Sequence, residues 1–166
     1  MLFRPSPDPI GPGQESVWDY PRPPALEASS EYIEIWLGDV AIASTSDSFR
    51  VLETSHPPTY YLPRQAFTAG SLVPAAGVSM CEWKGAASYL DIVGGGVRAA
   101  LSGWTYPHPT PAFADLTDHV AVYPAAMQRC TVDGEVVRAQ TGTFYGGWVT
   151  SKIVGPFKGI PGSAGW

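Results

Sequence analysis

The sequence predicts a mainly β fold built of curled antiparallel sheets, barrel-like or two-layered, with only a few short helices. Three observations carry this: short runs alternate apolar and polar residues, turn residues separate the runs at close spacing, and no long stretch has helical periodicity. The 166 residues include 18 glycines and 17 prolines. That is about a fifth of the chain, below the roughly 25–30% of low-complexity sequence but enough to demand many turns. One core suffices at this length, so residues 1–166 are expected to form a single domain.

Taken in order, residues 1–30 read as a Pro-rich arm, with Trp18 and Tyr20 too apolar to be left in water. Residues 25–31 predict one or two helical turns. From Glu31 the phrase E-Y-I-E-I-W-L, the pair Gly38-Asp39 and then V-A-I-A-S-T form a β-hairpin signal. In the next strand Phe49, Val51 and Glu53 share one face, and Arg50, Leu52 and Thr54 the other. Pro57 and Pro58 stiffen a loop that carries His56 and leads to Tyr60 and Tyr61, and R-Q-A-F after Pro63 predicts a short helix. Strands follow at residues 88–93 and 97–106, joined at Gly94-Gly95-Gly96, and at residues 119–123. Residues 111–116 give a further helical turn, and Asp133-Gly134 turns between two strands. The last part, residues 144–166, reads as a strap anchored by Trp148, Phe157 and Trp166. The phrases W-D-Y-P-R-P at 18–23 and W-T-Y-P-H-P at 104–109 echo one another, which predicts either two related half-sheets or one loop device used twice.

Composition excludes several functions. Net charge is -5 with no basic stripe, which leaves nothing to displace the counterions of a nucleic acid. The absence of an apolar run of about 18 residues argues against a membrane span, and the Pro-rich start lacks the apolar stretch of a signal peptide. Cys81 and Cys130 are far apart, which disfavours a disulfide scaffold or a zinc knuckle. The expectation is a cytoplasmic protein with neither metal nor cofactor.

Chemistry concentrates between Val51 and Tyr89. There V-L-E-T-S-H-P-P-T-Y-Y-L-P and C-E-W-K-G-A-A-S-Y gather titratable groups among aromatics and prolines, as a shaped pocket requires. Lysine is rare: only Lys84, Lys152 and Lys158 occur against seven arginines, so Lys84 beside Trp83 suggests a required amine or an anion clamp. Glu53, at a strand end three residues before His56, is the candidate general base, with His56 as partner or shuttle. The structural alternatives are a Glu53 that satisfies backbone donors at the proline turn, a His56 bonded to a loop carbonyl, and a Lys84 whose stem covers Trp83. Cys81 and Cys130 read as small apolar residues. The C-terminal G-P-F-K-G does not match a phosphate loop, because its lysine precedes the glycine and no helix follows.

Together E-T-S-H-P-P-T-Y-Y-L-P, C-E-W-K-G-A-A-S-Y, W-T-Y-P-H-P, V-D-G-E and F-Y-G-G-W-V-T-S with G-P-F-K-G resemble the hallmarks of the bacterial and fungal family called domain of unknown function 427, in its longer actinobacterial form. The resemblance covers residues 18–166 and implies a mainly β domain of the β-tent (Mss4-like) type, although the paired zinc knuckles of that type are missing. It also carries a nucleotidyltransferase label. Such transfer needs two or three carboxylates converging on metal ions, and the nearest candidate here, Asp115 with Asp118, lacks the Gly-Ser lead-in.

The sequence therefore points to a pocket that binds a small organic or anionic molecule, and that could transform it by metal-independent acid/base chemistry. Glu53 and Lys84 are the candidate catalytic proton carriers. His56, Tyr60, Tyr61, Trp83, Tyr89, Trp104 and Tyr106 are the candidate ligand wall. The rivals are a non-catalytic module that binds a protein or pairs two subunits as a homodimer and, behind it, nucleotidyl transfer.

Overall fold

The computed structural model describes residues 4–81, 83–142 and 144–166, so the first three residues of the arm lie outside the described residues. The chain is mainly β. Its strands are β1 (Glu15–Ser16), β2 (Ala25–Ser29), β3 (Ile33–Leu37), β4 (Val40–Thr45), β5 (Ser48–Leu52), β6 (Thr59–Pro63), β7 (Leu72–Cys81), β8 (Gly85–Gly94), β9 (Val97–Thr105), β10 (His119–Val122), β11 (Arg129–Val132), β12 (Glu135–Val136), β13 (Arg138–Ala139), β14 (Trp148–Val149) and β15 (Ile153–Val154). Among the described residues there are also four short 3-10 turns, at Val17–Asp19, Arg64–Ala66, Pro111–Leu116 and Pro124–Ala126.

An antiparallel seven-stranded sheet runs β2-β5-β6-β10-β9-β8-β7, and a four-stranded sheet runs β12-β11-β3-β4. The large sheet ends at β2 and β7, which do not pair, so it curls without closing into a barrel. Alternation along each strand explains the layering. Tyr60 and Leu62 of β6, Leu90 and Ile92 of β8, and Val120 and Val122 of β10 point to one side. There they meet Ile33, Ile35, Ile42, Cys130 and Trp148 in the main core. Val51, Tyr61, Trp104, Tyr106 and Ala121 point to the other side, where Phe113 and Leu116 pack against them.

The hairpins obey turn chemistry. Gly38-Asp39, Gly95-Gly96 and Asp133-Gly134 all take positive φ at both central residues, which brings Leu37 opposite Val40 and Gly94 opposite Val97. The 3-10 turns at Arg64–Ala66 and Pro111–Leu116 lie where the sequence predicts helical turns.

Residues 25–31 correct the helical expectation: Ala25–Ser29 is strand β2, paired with β5 from Ala25↔Leu52 to Ser29↔Ser48. The A-L-E-A phrase favours helix only locally, and ladder pairing to β5 overrides it. Strands β6 and β7 were not legible from the sequence; β7 hides behind a register shift between Pro74 and Val78. The Trp-x-Tyr-Pro echo is not a structural repeat. Trp18 sits in a 3-10 turn, whereas Trp104 lies within β9, paired to Tyr89 and Ala121.

Arm and strap both pack on the sheets. Trp18 donates its indole N–H to the Pro156 carbonyl at 2.9 Å and meets the Trp166 ring edge-on at 5.6 Å. Among the described residues, no helix is long and apolar enough to cross a membrane.

Candidate functional site

A cleft of about 520 Å³ opens on the face of the large sheet turned away from the main core. Its floor follows from register. Phe49 lies opposite Tyr61, and Trp104 lies between Ala121 and Tyr89, so large aromatics flank a single small residue. Ala87 is the small residue lining the hollow that Tyr61, Trp104, Tyr106 and Tyr89 surround, and Ala121 is fully buried. Tyr61 and Tyr106 stack with centroids 6.2 Å apart, and Trp104 donates its N–H to the Tyr61 hydroxyl at 3.2 Å. Burial holds the Tyr61 and Tyr106 phenols well above the range of a free tyrosine, so both stay neutral.

Where β5 ends, residues 53–56 make a tight turn closed by the His56 N–H on the Glu53 carbonyl at 3.0 Å. Ser55 has φ 73°, a left-handed conformation that costs a non-glycine residue energy and persists only when its surroundings enforce it. They do. The arm supplies the Val17 carbonyl to the Ser55 N–H at 3.1 Å and the Tyr20 carbonyl to the Thr54 hydroxyl at 2.5 Å, while Arg22 donates to the Thr54 carbonyl at 2.8 Å. The strap supplies the Lys158 N–H to the Ser55 carbonyl at 2.9 Å. Arm and strap thus set the angle at which Glu53 and His56 face the cleft.

Glu53 lies 3.3 Å from Arg22 and 3.8 Å from His56. Burial, the largest cause, pulls the His56 pKa down from 6.5 to about 4; nearby Lys158, Arg22 and Lys84 add to this and Glu53 opposes it. Lys84 lies on the opposite wall, its ammonium 5.8 Å from the Tyr106 ring centre and 6.0 Å from that of Phe113. The loop after β9 holds this wall: Thr110 donates its N–H to the Lys84 carbonyl at 3.0 Å and its hydroxyl to the Trp83 carbonyl at 2.5 Å. Glu53 and Lys84 share the cleft, but no ion pair within 4.0 Å joins them among the described residues.

Of the residues singled out from sequence, Glu53, His56, Tyr61, Lys84, Tyr89, Trp104 and Tyr106 line this one cleft. Tyr60 and Trp83 do not. The period-2 alternation of β6 turns Tyr60 to the core side, where its hydroxyl donates to Glu31 at 2.6 Å and its ring lies 4.9 Å from Trp148. Trp83 packs against the aromatic cluster from outside the wall. Sequence reasoning missed Gln140, Tyr145 and Tyr123, read Cys81 as a small apolar residue and left the role of Lys158 open; all five line the cleft. Tyr145 faces His56 with ring centres 5.2 Å apart. The F-Y-G-G-W phrase was the available signal: a Cβ on Gly146 would stand 2.4 Å from the Trp104 ring, so this segment must lie flat against the floor.

Among the described residues, no group of three or more His, Cys, Asp or Glu side chains is placed to hold a metal ion. The sequence model of the family described as Domain of unknown function (DUF427) matches residues 25–133. No curated protein matches the chain.

Proposed function

The chain belongs to the DUF427 family, and from the geometry of its cleft we propose that it binds a small organic anion with an aromatic or otherwise flat portion. The observation that carries this reading is the joint lining of one hollow by Lys84, Lys158, Glu53 and His56 over a floor of Tyr61, Trp104 and Tyr106. Arg22 offsets Glu53 and the Lys158 ammonium donates to the Trp166 carbonyl oxygen at 3.3 Å, which leaves the Lys84 ammonium as the main attraction for negative charge. The aromatic floor buries the flat part of the ligand, and the polar rim orients it.

The same arrangement supports acid/base chemistry without a metal. A ligand lying between the two walls places a proton within reach of the Glu53 carboxylate, while Lys84 stabilises negative charge that develops on the far side. Nuclear magnetic resonance titration with a panel of aromatic carboxylates and phosphates tests the binding step. Shifts at Lys84, His56 and Trp104 that vanish in K84M support it; a panel that moves no cleft resonance overturns it. Turnover of a bound compound that is abolished in E53Q would extend the reading to catalysis.

One observation favours a second reading, in which the chain pairs with another copy of itself. Strand β7 ends the large sheet with no strand paired on its outer side among the described residues, and it exposes Val78 and Met80 at 70% and 76%. Sedimentation analysis of the wild type beside a Met80→Lys variant decides it: a dimer lost on substitution supports edge pairing, and a monomer in both rejects it.

A further inference from the structure

Among the described residues, His56 is the only imidazole lining the cleft, and each of its ring nitrogens faces a different group. Nδ1 is 3.2 Å from Gln140 Nε2, and Nε2 is 3.8 Å from Glu53 Oε2. Which nitrogen carries the proton follows from the orientation of the Gln140 amide. Gln140 is 4% exposed, and two main-chain groups fix its side chain independently. The Lys158 carbonyl, which can only accept, lies 2.7 Å from Nε2. The Gly147 N–H, which can only donate, lies 3.2 Å from Oε1. Both place the NH2 end of the amide toward His56. One of its hydrogens serves Lys158 and the other is directed at Nδ1, which must then present its lone pair.

We propose that Gln140 is a positioning residue that holds His56 as the Nε2–H tautomer, so that the cleft takes a ligand whose carbonyl or carboxylate oxygen accepts that N–H. This rests on the small-molecule reading above and deepens it. The separation of Nε2 from Glu53 exceeds the 2.7–3.2 Å of a made hydrogen bond, so the donor is open to a ligand oxygen. With Nδ1 covered and Nε2 protonated, the imidazole has no free lone pair and does not shuttle protons. Proton acceptance falls to Glu53, and His56 supplies a neutral hydrogen bond to an oxygen that gains negative charge, alongside the Lys84 ammonium.

Two-bond proton–nitrogen correlation spectra of nitrogen-15 histidine-labelled protein at neutral pH test the positioning role without any ligand. The expected result is an unprotonated Nδ1 and a protonated Nε2 for His56. Gln140→Glu, whose carboxylate can only accept, is expected to reverse the pattern and raise the His56 titration midpoint. A wild-type spectrum with Nδ1 protonated overturns the proposal, as does a folded Q140E protein with an unchanged tautomer; should Q140E fail to fold, the wild-type spectrum alone decides. For the ligand class the probes are benzoate and benzylamine. Benzoate is expected to shift His56 Nε2 and benzylamine to leave it in place. Equal shifts overturn the acceptor-oxygen class, whereas a cleft that ignores both probes while keeping the tautomer overturns the small-molecule reading instead.

Discussion

The Arg50 guanidinium meets the Glu15 carboxylate at 2.5 Å and so joins β1, in the N-terminal arm, to β5 of the seven-stranded sheet; Glu27 of β2 completes the clasp at 2.6 Å. Burial is asymmetric across it. The Arg50 side chain is only 10% exposed, but those of Glu15 and Glu27 are 39% and 51% exposed. Removing the cation leaves carboxylates that water can reach, whereas removing both carboxylates strands a buried charge. Arg50→Met is therefore expected to cost about 1 kcal/mol, and the double variant E15Q/E27Q roughly 3–5 kcal/mol. Urea denaturation of both proteins measures the order, and the reverse order contradicts the account.

Stability should fall with acid through one identified group. The folded-state pKa of His56 is lowered to about 4 from an unfolded value of 6.5, chiefly by burial. Between those values the unfolded chain binds a proton that the folded one does not, so stability is fully present above pH 6.5 and is lost as pH falls toward 4. The slope in that window is at most about 1.4 kcal/mol per pH unit. Melting temperature against pH should show it, and His56→Gln should flatten that segment of the curve relative to the wild type.

How much of this was legible in the sequence depends on whether a residue's signal is local. The hairpins at Gly38-Asp39, Gly95-Gly96 and Asp133-Gly134 were legible because positive φ needs particular residues at the turn itself. Glu53, His56 and Lys84 stood out because titratable groups are scarce among aromatics and prolines. Strand β2 was misread because A-L-E-A is a good helical phrase and its pairing with β5 comes from tertiary structure. Tyr60 and Tyr61 looked equivalent in the sequence; only the strand state of β6 separates them, sending one to the core and the other to the cleft. Gln140 carried no local signal at all, since its role exists only where it meets His56 from 84 residues away.

The candidate proton carriers should be dispensable for folding. Glu53 and its partner Arg22 have side chains 25% and 39% exposed, a setting in which an ion pair contributes no more than about 1 kcal/mol. The Lys84 stem lies beside Tyr106 and Phe113, and methionine keeps that apolar contact while removing the charge. E53Q and K84M should each lower Tm by only a few degrees in calorimetry. A loss several times larger would assign these residues to the framework and not to a site.

The tightest test of the framework around His56 is Gly147→Ala. Gly147 lies outside the positive-φ region, so alanine fits its backbone conformation and the outcome depends on space alone. A Cβ there would stand 2.5 Å from Gln140 Oε1 and 3.0 Å from both the Cβ and the carbonyl oxygen of Pro57. Pro57 is fully buried, and the Gln140 amide is held from its other end by Lys158, so neither neighbour yields without breaking a contact. The Gln140 amide must turn, abandoning the Gly147 N–H and with it the donor aimed at His56 Nδ1. G147A is expected to lose about 1–3 kcal/mol, the usual cost of overpacking, and to give a mixed His56 tautomer in proton–nitrogen spectra. Gly11→Ala is the control: its Cβ would meet only Gln14 Oε1, at 3.4 Å, on an exposed stretch of the arm. Equal stability of the two variants, with an unaltered His56 spectrum in G147A, would show that Gln140 has another resting place and that its hold on the imidazole is weak.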